Sequence, residues 1–227
     1  MEGSLVAYKV FTNGSVLNAS EINDNLMNQS VMVFSNSTAR AAALTAPVEG
    51  MLTWLQDVNR YEYRNGANAW VTLGSGVLQV VSTVKTDTFS ASTSNTWADI
   101  TGLSVSITPS SSSSKVLVVS AIHGSATTNG VANIQLIRGS TAIAIGDAAG
   151  SRPQSSSSID SNGGEPIMSS SITFLDSPAT TSATTYKLAL NTGDNTGTAY
   201  INRTSADANN IYSGRYASTI TVMEISG

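Results

Sequence analysis

The chain has no cysteine, a single histidine, and charge on only 11% of its residues. Without cysteine there is no disulfide framework and no thiolate metal site, so stability has to come from packing or from association of copies. One histidine and no cysteine also leave no set of transition-metal ligands, and neither a metal nor another cofactor is expected. Eleven Lys and Arg stand against fifteen Asp and Glu, for a net charge of -4. The basic residues are scattered, whereas neutralising a phosphate backbone needs them clustered, so nucleic acid is not an expected partner. No apolar run reaches the roughly eighteen residues of a membrane-spanning helix. Met1-Glu2-Gly3-Ser4 lacks the basic and apolar regions of a secretory signal, so neither membrane insertion nor classical export is expected.

What stands in place of charge is Ser and Thr, about a quarter of the chain, a composition that favours exposed strands over helices. With 227 residues, 41% of them hydrophobic, the chain can bury one substantial core or two small ones. Gly74-Ser75-Gly76 marks a boundary, giving a module over residues 1–74, a short linker or first strand over 75–84, and a domain over 85–227. Upstream, Ser20 suits an N-cap for a weak helix over 21–29, with Ile22 and Leu26 on one face. A strand at Val31-Met32-Val33-Phe34, an Ala-rich helical piece starting at Ser37-Thr38-Ala39-Arg40, and a meander through Trp54, Tyr61, Tyr63 and Trp70 follow. The Asn65-Gly66 pair in that meander tolerates positive φ. Such a module has a small core and is expected to lean on a partner or on its own copies.

Downstream, strands are expected over 77–84, 86–91, 96–100, 103–108, 115–123, 132–138, 141–146, 167–175, 185–191, 198–202 and 217–225, with a long loop over 146–166. Leu103 to Thr108 and Lys115 to Val119 read as a hairpin whose polar serine connection faces solvent or a neighbour. In the last strand Ile220, Val222 and Glu224 share one face and Thr219, Thr221, Met223 and Ile225 the other, so both faces are partly apolar. The expected fold class is mainly β: a C-terminal antiparallel jelly-roll β-sandwich with a small α+β N-terminal adaptor module.

Candidate chemistry is sparse, and no catalytic residue is assigned. His123 ends a strand, and in a chain this rich in Ser a nominal triad around it carries no specificity. Asp147, Asp160, Glu165, Asp176, Asp194 and Asp207 fall in loops or strand ends and read as solvated turn residues. Glycoside hydrolysis needs a pair of acids, and no spacing here singles one out. The best binding surface lies near the C-terminus, where Tyr200, Tyr212 and Tyr216 stand with Asn202, Arg203, Asn209 and Arg215. Flat rings beside amide and guanidinium donors suit sugar faces and hydroxyls, so a host surface polysaccharide is the candidate ligand.

Two sets of residues carry a family resemblance. Val10-Phe11-Thr12-Asn13-Gly14, Leu17-Asn18-Ala19, Ile22-Asn23, Gln29 to Phe34, Arg40, Pro47 to Met51, Tyr61-Glu62-Tyr63 and Trp70 resemble the virion-attachment module of tailed-bacteriophage fibre and appendage proteins. Thr101 to Pro109, Ser114 to Val118, Leu136 to Thr141, Phe174 to Pro178, Thr184 to Tyr186 and Ser218 to Ile225 look like the terminal β domain of such proteins. The resemblance implies a virion structural protein assembled in the host cytoplasm, a homotrimer fixed to other virion proteins of tail, neck or capsid, with its β domain outward. It implies attachment through Phe11, Leu17, Ile22, Leu26, Phe34, Trp54, Tyr61, Tyr63 and Trp70. A fibre shaft is absent between the modules, so a short tail fibre, a capsid decoration or a tail adaptor is implied rather than a long fibre.

Overall fold

Alternation of apolar and polar residues is the dominant local signal, and the molecule is accordingly mainly β, in several sheets. The computed structural model describes residues 30–74, 76–93, 96–127, 131–160, 167–193 and 197–227, together with 14, 16, 18 and 19. The expected helix over 21–29 lies outside the described residues, as do Phe11, Leu17, Ile22 and Leu26. The chain divides into two units, Met1–Ser75 and Gly76–Gly227.

In the first unit β1 (Val31–Phe34) is followed by helix α1 (Ser37–Ala43) and then β2 (Leu52–Leu55), β3 (Arg60–Arg64) and β4 (Trp70–Leu73). They form one sheet in the order β1-β2-β3-β4, with β1 and β2 parallel across the helix and the other pairs antiparallel. The helix starts where Asn36, in extended conformation, accepts a 2.8 Å bond from the Ala39 amide, so the cap is Asn36 rather than the following Ser. The β3–β4 turn is held by Asn65 Oδ1, which accepts from the amides of Ala67 and Ala69 at 3.1 and 2.8 Å. Asn68 takes the positive φ there, in place of the expected Asn65-Gly66 pair.

The second unit carries β5 (Val77–Lys85), β6 (Phe89–Ala91), β7 (Ala98–Ile107), β8 (Lys115–Ala126), β9 (Val131–Arg138), β10 (Thr141–Ile143), β11 (Ser157–Asp160), β12 (Met168–Asp176), β13 (Thr184–Asn191), β14 (Ala199–Ile201) and β15 (Ser218–Ile225). One sheet has β8 at its centre, flanked by β12 on one side and by β15 and β14, end to end, on the other; β5 and β6 pair outside these. The second sheet runs β7-β13-β9, with β10 and β11 sharing the far edge of β9. All of these pairs are antiparallel. The sheets enclose one core, to which β7 contributes Ile100, Leu103, Val105 and Ile107, β8 Val116, Val118 and Ile122, β13 Tyr186, Leu188 and Leu190, and β15 Ile220 and Val222.

Three expectations are corrected here. The stretches 96–100 and 103–108 are one strand, because Gly102 at φ +86° lets β7 pass its irregularity opposite Lys187 and Ala189 without ending. The loop expected over 146–166 contains β11, which pairs with β9. Finally, β7 and β8 are not a hairpin: β7 pairs with β13 and β8 with β12, β14 and β15, so the serine connection crosses from one sheet to the other. That connection does not simply face solvent either. Ser110 and Ser114 turn in towards Glu224, which is buried in β15 beside Ile220 and Val222.

Candidate functional site

In the first unit the pleat sorts the side chains with unusual polarity. Register places Val31, Leu52, Tyr63 and Val71 in one row across the sheet, and Val33, Trp54, Tyr61 and Leu73 in the next row on the same face. Val31, Val33, Tyr61, Tyr63 and Leu73 are exposed, and Trp54 meets Tyr61 edge to face with ring centroids 4.7 Å apart. The opposite face holds the charges. Arg40 from α1 is buried there, ion-paired with Glu62, 3.4 Å from Thr53 Oγ1, and stacked 4.1 Å over the Trp70 ring. Burial alone would raise the Glu62 carboxyl; hydrogen bonds from Arg40 and Arg60 outweigh it and hold the group below the usual carboxylate range.

Of the expected attachment residues, therefore, Trp54, Tyr61 and Tyr63 come together on the open face. Phe34, in register with Leu55 and Arg60, and Trp70, under Arg40, belong to the closed one.

In the second unit the outer face of the β12-β8-β15-β5 sheet has two zones. Over the first half of β8 it carries one apolar row, with Leu175, Leu117, Met223 and Val80 aligned in register across four strands. Over the end of β8 it becomes aromatic and polar. Tyr200 lies beneath the Arg203 guanidinium at 3.9 Å, His123 stacks on Tyr216 at 6.0 Å, and Asp207 bridges Arg203 and Arg215. The Arg215 hydrogen bond holds the Asp207 carboxyl below its ordinary value. Tyr212 is 75% exposed, and Asn209 and Arg215 are exposed as well.

The structure thus brings Tyr200 onto Arg203, Tyr216 onto His123, and Arg203 and Arg215 onto Asp207, while Asn209 and Tyr212 are exposed on the segment between them. Asn202 is the exception: it is fully buried at φ +63°, its amide donating to Lys85 O at 2.8 Å and Asp87 O at 3.0 Å while its oxygen accepts from Ser218 at 2.6 Å. It fixes the loop and has no free group for a ligand.

His123 Nδ1 pairs with Ser169 Oγ at 2.8 Å. No group of three or more metal-ligating side chains occurs among the described residues. Among them, too, no helix is long and apolar enough to cross a membrane.

Sequence reasoning missed one polar centre. Asp176 is not a solvated turn acid; it is buried at the end of β12, taking Arg138 Nη1 at 2.8 and 2.9 Å and the Tyr186 hydroxyl at 2.6 Å. Burial and the neighbouring carboxylate push the Tyr186 hydroxyl far up, so it stays a donor. Arg138 lines a groove of about 320 Å³ with Gly139, Pro178, Thr180, Ala183, Thr184 and Thr185. The three partners lie on separate strands and share no sequence spacing; the one available signal was the pairing of Arg138 and Asp176 as strand-end charges.

No family model and no curated protein matches the chain. Among solved structures it is similar to a chain of the structure of infectious bursal disease virus, Gx strain, at 13% identity and a TM-score of 0.36 over 74% of this chain. The likeness spans 38% of that chain's length.

Proposed function

We propose that the protein is a non-enzymatic structural component of a tailed-phage particle, a short tail fibre or appendage. It attaches through its first unit and displays the second towards the host surface. The open face of the first unit is the observation that carries this reading. A sheet that buries Leu55 with Arg40 and Glu62 on one face and leaves Val31, Val33, Tyr61, Tyr63 and Leu73 to solvent on the other keeps a contiguous apolar face exposed, and such faces mark protein docking surfaces. The second unit is read as a jelly roll. In support, the first strand row pairs with the last (β5 with β15), and the intervening strands cross between the sheets so that one is ordered β12-β8-β15-β5 and the other β11-β9-β13-β7. Copies of the chain associate as a homotrimer, and the ligand is a host surface polysaccharide held by Tyr200, Arg203, Asn209, Tyr212, Arg215 and Tyr216.

Attachment is tested with particles carrying Val33→Asp and Tyr61→Asp together. They should lack the protein by immunoblot while the purified variant keeps its far-UV circular dichroism; normal incorporation would overturn the attachment reading. Tyr212→Ala with Arg215→Ala should leave incorporation intact and reduce adsorption to host cells, and unchanged adsorption would remove the glycan role. Release of reducing ends from host polysaccharide by the wild-type chain would favour a tailspike instead. Capsid decoration differs in copy number and position, which imaging of intact particles separates.

A further inference from the structure

We infer that the outer face of the β12-β8-β15-β5 sheet is the surface through which copies of this chain associate, turned in the trimer towards the other copies. The inference rests on the self-association in the reading above and names the surface that does it.

The two sheets of the second unit differ sharply on their outer faces. The β7-β13 side shows Ser104, Ser106 and Thr185, with Ser106 and Thr185 hydroxyls 2.7 Å apart and an ion pair between Asp99 and Lys187 at 2.6 Å, a surface made for water. The other sheet presents Leu175, Leu117, Met223 and Val80 in one row, then Thr173, Val119, Thr221 and Ser82, then Ser171, Ala121, Thr219 and Val84. Leu175 is 53% and Val80 56% exposed, and Leu78 and Val84 are exposed beside them. Charge is confined to the margins of this face, where Lys115 Nζ donates to Ser177 Oγ at one end and His123 lies at the other.

Two arguments select a second copy as the occupant. The first is charge. A different partner is usually chosen by complementary charges, and this face offers none to choose with, while a copy of itself meets no like-charge repulsion and leaves no ion desolvated. The second is area. The nine residues of β5 at about 3.3 Å each, across four rows about 4.8 Å apart, make a face of about 30 by 19 Å. Two such faces bury about 1,100 Å², close to the floor of about 1,200 Å² for stable specific interfaces. The apolar row alone falls well short of that, so the Ser and Thr rows have to be covered with it. Cyclic closure, with each copy turning this face towards its neighbours about the three-fold axis, meets this condition.

The test is the mass of the full chain by light scattering coupled to size exclusion, at about 100 µM, where association with a Kd below about 10 µM is largely complete. The wild type should run as a trimer, at three times 23.5 kDa. Val80→Glu with Leu175→Glu places carboxylates on two exposed positions of the face and should weaken association by at least about 100-fold. Ser104→Glu on the opposite sheet should change nothing. A monomeric wild type, or a folded double variant with unchanged mass, overturns the inference. Should the double variant lose its circular dichroism, Val84→Lys repeats the measurement from the other side of the face. Particle incorporation is read separately through Val33→Asp with Tyr61→Asp, so loss of one result does not decide the other.

Discussion

Replacing Glu224 by Gln should remove most of the acid sensitivity that the second unit owes to one buried group. Glu224 is 1% exposed, and burial by itself would raise its carboxyl. Four donors reverse this: the Ser110 amide, the Ser110 hydroxyl and the Ser114 hydroxyl reach Oε1 at 2.7, 2.6 and 2.7 Å, and Gln79 Nε2 reaches Oε2 at 2.6 Å. The folded carboxyl is held down at about 2, against an ordinary value of 4.5. A depressed carboxyl contributes its stabilisation above the unfolded value and loses it as pH falls towards the folded one, so the loss runs from about pH 5 down to about pH 2. A shift of that size corresponds to about 3 kcal/mol. For a chain of this length the thermal midpoint should move by about 6–12 °C. The measurement is thermal unfolding by far-UV circular dichroism at pH 6 and pH 2.5 for both proteins. Wild type should fall further than Glu224→Gln by most of that amount, and the variant should already be less stable at pH 6, where Gln cannot accept all four donors. Parallel losses would refute the reasoning and move the acid sensitivity to other carboxylates.

Two further outcomes follow from the packing. Gly124→Ala should destabilise the second unit by about 1–3 kcal/mol in urea unfolding, because a methyl there overlaps the Tyr200 carbonyl oxygen across the β8–β14 pair and the backbone has to shift. Arg40→Met should cost the first unit about 1–3 kcal/mol, because buried Glu62 loses one of its two cationic partners and keeps Arg60, whereas Arg40→Met with Glu62→Leu should recover much of it; tryptophan fluorescence, to which Trp70 contributes from beneath Arg40, follows both variants.

Alternation made the strands legible, and in β15 it also gave the faces: Ile220, Val222 and Glu224 inward, Thr219, Thr221, Met223 and Ile225 half-exposed. It could not give partners. β7 and β8 each alternate cleanly and follow one another closely, which suits a hairpin, yet both bury their apolar faces in one core from opposite sheets. Periodicity reports which side of a strand is dry and is silent on what lies beside it. Glu224 held the missing clue, since a carboxylate in an inward register needs donors and the serine run was the nearest supply. The candidate binding cluster was only partly readable for a related reason. Neighbours in sequence around a turn point in different directions, so Tyr200 and Arg203 stack together outside while Asn202, at positive φ between them, turns into the protein.

Each unit buries part of its charge in the same manner, and this bears on how the surfaces work. Arg40 with Glu62, Arg138 with Asp176, and Glu224 with its serine donors all sit inside or at the ends of sheets, where hydrogen-bonded charge fixes one geometry. The open face of the first unit and the β12-β8-β15-β5 face are left to Val, Leu, Tyr, Ser and Thr. Ion pairs on solvent faces would add little stability and would have to be desolvated whenever a partner docked. Neutral faces avoid that cost, and hydroxyl-bearing side chains keep them wetted until they are covered. Under the proposed assembly, a chain so poor in charge and without disulfides adds to the stability of its own core through contact with other chains, which is how the composition bears on that proposal.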